Sequence, residues 1–156
     1  MSTEDAPASG SPSGPHSVTR AAHAKINLSL SVGVAEPAEA EKPGWHKIAS
    51  WMASIGLADD VTLERTGPGS GIESAGEPTL QIHWADDAPV TTPIDWPPEK
   101  DLAVRALKLL EEEAGRDLPA QITIAKRIPP GGGLGGGSAD AAAPLMAGNE
   151  LFALGY

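Results

Sequence analysis

Cysteine is absent from the sequence, which excludes disulfide bridges, a thiolate nucleophile and any zinc site built on sulfur. Cationic side chains are scarce, with 11 Lys and Arg against 21 Asp and Glu and a formal charge of −10. A nucleic-acid binder needs a cationic footprint to displace counterions from phosphates, so nucleic acid is not an expected partner. The acidity leaves room for a small phosphorylated ligand, which backbone N–H groups and a few cations can hold locally. Its plain reading is solubility. No apolar run reaches the length of a membrane span. The first residues lack the cationic start and continuous apolar stretch of a secretory leader. A cytoplasmic location without a membrane partner is therefore expected. A length of 156 residues suits one domain, and 40% hydrophobic residues supply a core.

Glycine and proline are plentiful, 18 and 15, and clustered, so they mark loops. Residues 1–17 are rich in Ser, Pro, Gly and Ala and lack the apolar content to fold, which predicts a disordered tail. Residues 18–34 change character. Ile26, Leu28 and Leu30 alternate with polar residues and predict a half-buried strand. Residues 48–55 and 61–63 predict two further short strands around a turn at 58–60. Another is expected at 80–84, with little regular structure over 85–99. Leu102, Ala106, Leu109 and Leu110 recur at helical spacing between Asp101, a candidate cap, and Gly115, a candidate stop. A strand is expected over 120–128. An Ala- and Leu-rich helix over 138–151 follows, with Ser138 near its start and Pro144 predicting a kink or a late start. This order predicts an α/β chain, specifically an α+β two-layer sandwich with helices on one face of the sheet.

The strongest signal is the run from Ile128 through Pro129, Pro130, Gly131, Gly132, Gly133, Leu134, Gly135, Gly136, Gly137, Ser138 and Ala139 to Asp140. Six glycines let backbone N–H groups turn toward a ligand with no side chain in the way. The helix behind them adds unpaired N–H groups and the positive end of its dipole. Together they form an anion cradle suited to phosphate. Ser138 and Asp140 could reach phosphate-bound Mg²⁺. The alternative is a flexible linker or tight turn. Walker A is excluded because no Lys follows the glycines. A Rossmann spacing can be read at Gly131, Gly133 and Gly136, but the position about 20 residues on, where that fingerprint has an acid, is Tyr156.

This loop resembles the second motif of the GHMP kinases, the family of galactokinase and of homoserine, mevalonate and phosphomevalonate kinases. Three further segments resemble the family in the same order: Ala22 to Leu28 as its opening strand, Gly44-Trp45-His46, and Asp101 to Ala106 as a helix start. The triple glycine and the Gly-Trp-His segment are similar to the branch acting on a cytidine diphosphate conjugate of methylerythritol. The resemblance implies the two-layer GHMP kinase N-terminal fold shared with ribosomal protein S5 domain 2, spanning residues 18–156. It also implies ATP with Mg²⁺, a small-molecule substrate, and phosphoryl transfer to that substrate's 2-hydroxyl. Lys25 matches the family's catalytic lysine, and an ammonium there can lower a hydroxyl's pKa and stabilise the phosphoryl group. Asn27, Trp45 and His46 match the substrate pocket, with the Trp45 ring placed to stack on cytosine. Pro129 to Ser138 and Asp140 match the nucleotide loop, with Ser138 toward the metal. Without the motif, Lys25 reads as a strand-end surface lysine, and Trp45 and His46 as sheet packing. Lys126 and Arg127 read either as screens for nucleotide charge or as a solvated strand end.

Two departures matter. The family has a second serine where Ala139 stands. Its catalytic aspartate and C-terminal domain lie beyond the matched region. This stretch by itself is therefore expected to bind ATP weakly and to turn over little. No oligomeric state follows from the sequence.

Overall fold

The computed structural model describes residues 15–68, 70–73 and 76–156. Most of the tail expected over 1–17 lies outside them, and Ser17 already opens the first strand. β1 (Ser17–Ala35) and β2 (His46–Arg65) pair antiparallel from Ser17–Glu64 to Ala35–His46. β3 (Thr79–Trp84), a 3₁₀ turn (Pro98–Lys100), α1 (Leu102–Ala114), β4 (Ala120–Lys126) and α2 (Gly136–Leu151) follow. The sheet order is β1-β2-β4-β3, antiparallel except for the β3/β4 pair. Parallel neighbours need a crossover, and α1 supplies it.

α1 forms because Ala103, Val104, Leu107 and Leu110 make one apolar stripe, all buried. The Asp101 carboxylate accepts from the Ala103 N–H at 2.8 Å as N-cap. Gly115 ends the helix at φ 63°, the left-handed stop expected of it. The stripe packs with Ala143, Ala147 and Leu151 of α2 onto Val61 and Leu63 of β2 and Ile122 and Ile124 of β4. Helices and sheet thus form the two expected layers. Where the helices cross, a Cβ on Gly148 would stand 2.8 Å from Leu110 Cδ2 and 3.5 Å from Leu107 Cδ1. Gly148→Ala is therefore expected to destabilise the chain by about 1–3 kcal/mol through overpacking. Urea denaturation measures this, and an unchanged midpoint would show that the helices can separate freely.

Three expectations need correction. There is no turn at 58–60; β2 runs straight through. Asp59 and Asp60 read as turn residues, but Lys126 and Arg127 hold their carboxylates, so the strand tolerates them. The surplus is absorbed locally, because β2 carries two more residues than β1 between the pairs His23–Ala58 and Lys25–Ser54. α2 starts earlier than expected, at Gly136, and continues through Pro144. The alternating strand is not half-buried over Ile26, Leu28 and Leu30, which are 39%, 54% and 56% exposed. β4 pairs with β2 only over Asp60–Arg65, so the outer part of the β1–β2 hairpin is a two-stranded ribbon beyond the helices.

Candidate functional site

The glycine loop joins the end of β4 to the start of α2. Gly131, Gly133 and Gly135 adopt φ of 76°, 69° and 76°. Such alternation of left-handed residues produces the backbone nest that receives anions. Gly135 leads into α2 without a side-chain cap, leaving the first N–H groups of a 16-residue helix without a side-chain acceptor. Gly136 is dictated by proximity: a Cβ there would stand 2.8 Å from Ile128 Cγ2. The loop walls a cleft of about 380 Å³. Ser138, Asp140, Lys126 and Ile128 also line it, and Trp96 with Lys100, Asp101 and Leu102 forms the facing side. The Trp96 indole N–H donates to Asp101 at 2.8 Å, tying that wall to the start of α1.

Lys25 reaches the loop from β1. Its backbone N–H donates to Leu134 O at 2.8 Å, and its ammonium donates to Gly133 O and to Asn27 Oδ1, both at 2.7 Å. Asn27 in turn donates to Ser50 Oγ at 2.5 Å. Lys25, 108 positions from Gly133 in sequence, is thus brought to the loop, with Asn27 bonded to its ammonium.

Trp45 and His46 are not. Trp45 is 64% exposed, with the Lys42 ammonium over its ring, and His46 Nδ1 is 2.8 Å from Gly33 O. They sit where Ala35 pairs with His46, ten β1 positions from Lys25, which is about 33 Å at about 3.3 Å per residue. A separate shallow cleft near 360 Å³ opens beside them.

Asp140 lines the cleft, but its side chain is only 7% exposed and its carboxylate pairs with Lys126 Nζ at 2.7 Å. Its second oxygen is buried with no hydrogen-bond partner. Ser138 remains exposed at the helix start. Among the described residues no group of three acidic or His side chains could hold a metal ion.

Lys126 is not a solvated strand end. It is buried between Asp59 at 2.6 Å and Asp140 at 2.7 Å. Burial alone would lower its pKa, but the hydrogen bonds to Asp140 and Asp59 outweigh it and raise the pKa. Burial pushes Asp140 up to about 7, against the pull of Lys126. Asp59 also accepts from the backbone N–H groups of Arg127 and Ile128, the latter at 2.8 Å. Arg127 meets Asp60 and Asp87 at 2.8 and 2.7 Å, so neither cation is spare. Sequence reasoning missed Asp59. The available signal was a lysine followed by Arg127 and Ile128 at the end of an apolar strand, which needs a carboxylate partner if buried.

Strand order, helix placement and loop define the class: the chain has the fold of a GHMP kinase N-terminal domain. The family profile described as "GHMP kinases N terminal domain" matches residues 101–156. Over nearly the whole chain its relatives are enzymes named 4-diphosphocytidyl-2-C-methyl-D-erythritol kinase. The one from Mycolicibacterium gilvum is 38% identical over 139 residues, 89% of this chain and 37% of its own length. The one from Chromobacterium violaceum is 51% identical over 138 residues, 86% and 40% respectively. A crystal structure of 4-(cytidine 5'-diphospho)-2C-methyl-D-erythritol kinase superposes with a TM-score of 0.61 at 32% identity, covering 89% of this chain and 42% of that one. Homoserine kinase from Cytophaga hutchinsonii, at 17% identity and a TM-score of 0.58 over 94% of this chain and 39% of its own, shares the fold. The chain spans about two-fifths of the length of these relatives. Among the described residues no helix is long and apolar enough to cross a membrane.

Proposed function

We propose that residues 18–156 form the ATP-binding part of a kinase that phosphorylates the 2-hydroxyl of 4-diphosphocytidyl-2-C-methyl-D-erythritol, a step of non-mevalonate isoprenoid precursor synthesis. The observation that carries this reading is Lys25 held against the glycine loop at Gly133. A phosphate cradle and a cation that can approach the transferred group occur together only because β1 passes beside the β4–α2 loop. Phosphoryl transfer is chiefly positioning and charge stabilisation, and these two parts supply both. In this reading residues 129–138 hold the ATP phosphates. Lys25 faces the reacting hydroxyl, with Asn27 orienting its ammonium. The exposed Ser138 hydroxyl is the side chain that would hold a nucleotide-bound Mg²⁺, whose other ligands would be waters and substrate phosphates. Mg²⁺ would offset phosphate charge there. In this reading Asp140, paired with Lys126, supports the loop without itself holding the phosphates. The cytidine role of Trp45 and His46 rests on the motif and the named relatives, because the ribbon separates them from Lys25.

Calorimetric titration with ATP–Mg²⁺ and with cytidine diphosphate tests the reading. The folded chain is expected to give a saturable ATP isotherm, weakened about 10- to 100-fold by Lys25→Ala, the cost of one charge-assisted hydrogen bond of about 1.5–3 kcal/mol. Absence of any ATP isotherm from a folded chain would sink it. The chain is also expected to bind cytidine diphosphate, and Trp45→Ala to abolish that binding while leaving the melting temperature unchanged, because the ring is largely exposed. An unaltered signal would remove Trp45 from the substrate pocket.

A further inference from the structure

The ion-pair cluster under the loop joins three elements. Asp59 belongs to β2, Lys126 ends β4, and Asp140 lies in the first turns of α2. Its two carboxylates and one ammonium give at best a neutral sum beside an anion site. Through charge alone it would not favour phosphate. Nor does it supply much net stability, since buried pairs roughly offset their own desolvation. What it does supply is geometry. Asp59 holds the backbone N–H groups of Arg127 and Ile128, where the chain leaves β4 for the loop. Lys126 holds Asp140, where the chain leaves the loop for α2. Both stems of the loop are thereby fastened to β2. The unpartnered second oxygen of Asp140 fits this: the carboxylate is drawn inward by Lys126 at the expense of full hydrogen bonding.

We propose that Asp59, Lys126 and Asp140 are positioning residues, a three-element clamp that sets the spacing of the glycine-loop amides for a nucleoside triphosphate. The ligand class rests on the function proposed above; the clamp itself does not. Asp140→Ala frees α2 and leaves a neutral Lys126–Asp59 pair. Asp59→Asn keeps an oxygen for the two backbone N–H groups and leaves a neutral Lys126–Asp140 pair. At pH 8, where both carboxylates are ionised, each variant removes a negative charge near the phosphates, so electrostatics alone predicts tighter ATP binding there. The clamp predicts weaker binding.

The test has two readouts on each variant whose melt stays cooperative. In the ligand-free chain, hydrogen exchange at residues 131–139 is expected to quicken at least about 10-fold while that of Leu107 and Ile124 does not change, as local opening requires. ATP titrated in EDTA, where no metal contact contributes, is expected to bind at least about fivefold more weakly. Unchanged loop exchange, or ATP binding as tight as the parent's or tighter, overturns the clamp. Loop exchange that quickens in a chain whose parent never binds ATP sustains the clamp and defeats the kinase reading. If one variant does not fold, the other decides.

Discussion

Gly135→Val is expected to reduce ATP–Mg²⁺ affinity below calorimetric detection while leaving the chain folded. Two effects combine at this position. The backbone sits at φ 76°, where a residue with a Cβ costs about 1–2 kcal/mol and a β-branched one more. A Cβ would also stand 3.0 Å from Lys25 Cγ and 3.3 Å from Lys25 Cε. Relief must come from the loop, from Lys25, or from both, and each is part of the proposed site. A shift of the loop also moves the first amides of α2, which Gly135 precedes. With about 1.4 kcal/mol per tenfold, strain alone gives at least about tenfold, and misplacement of the amides adds to it. Gly44→Ala is the control. Gly44 has the same φ of 76° with nothing within 4 Å of a Cβ, and it lies at the far end of the ribbon. It should lose about 1 kcal/mol of stability and no affinity. A Gly135→Val chain that binds ATP like its parent would show that the loop is not a nucleotide site.

Lys126→Met is expected to lower stability by about 3–5 kcal/mol at pH 8, because it leaves two buried carboxylates without their cation. For a chain of this size each kcal/mol is about 2–4 °C, so the melting temperature should fall by about 6–20 °C. The loss should be smaller at pH 6. Asp140 has a pKa raised to about 7, against an ordinary 3.8. The folded state therefore binds more protons than the unfolded one between about pH 4 and pH 7, and stability falls as pH rises through that window. In the parent this makes Asp140 less costly at pH 6 than at pH 8. Without Lys126 the carboxyl loses its main lowering influence and the pH slope steepens. Asp140→Asn removes the titrating group and should flatten the slope. Thermal melts of the three proteins at pH 6 and pH 8 measure this. A Lys126→Met melt within about 2 °C of the parent at pH 8, less than one kcal/mol, would contradict the burial of the cluster.

Much of the fold was legible locally. Asp101 and Gly115 bound α1 as their capping chemistry requires, and the periodicity of Ile122 and Ile124 gave β4 its buried face. The glycine loop was legible because six glycines in such a run have few uses other than backbone approach. The turn expected at 58–60 was not legible, because whether adjacent aspartates bend a chain depends on what they meet. Here they meet Lys126 and Arg127, 67 positions on. Pro144 lies inside α2 although proline weakens helices, since the burial of Ala143, Ala147 and Leu151 favours the helix on either side of it.

The sequence by itself determined the class of chemistry. Its glycine run, its lack of sulfur and its scarcity of cations leave a backbone cradle for a small anion as the readable site, and its motifs resemble one kinase family in order. Only the tertiary structure decided which side chains serve that cradle. It brought Lys25 and Asn27 to the loop and left Trp45 and His46 at the far end of a ribbon. It also buried Lys126 between Asp59 and Asp140. The physical reason is range. Backbone conformation follows from neighbours a few residues apart, whereas ion pairing and burial depend on strand register and helix packing between residues far apart in the chain, such as Asp59 and Lys126.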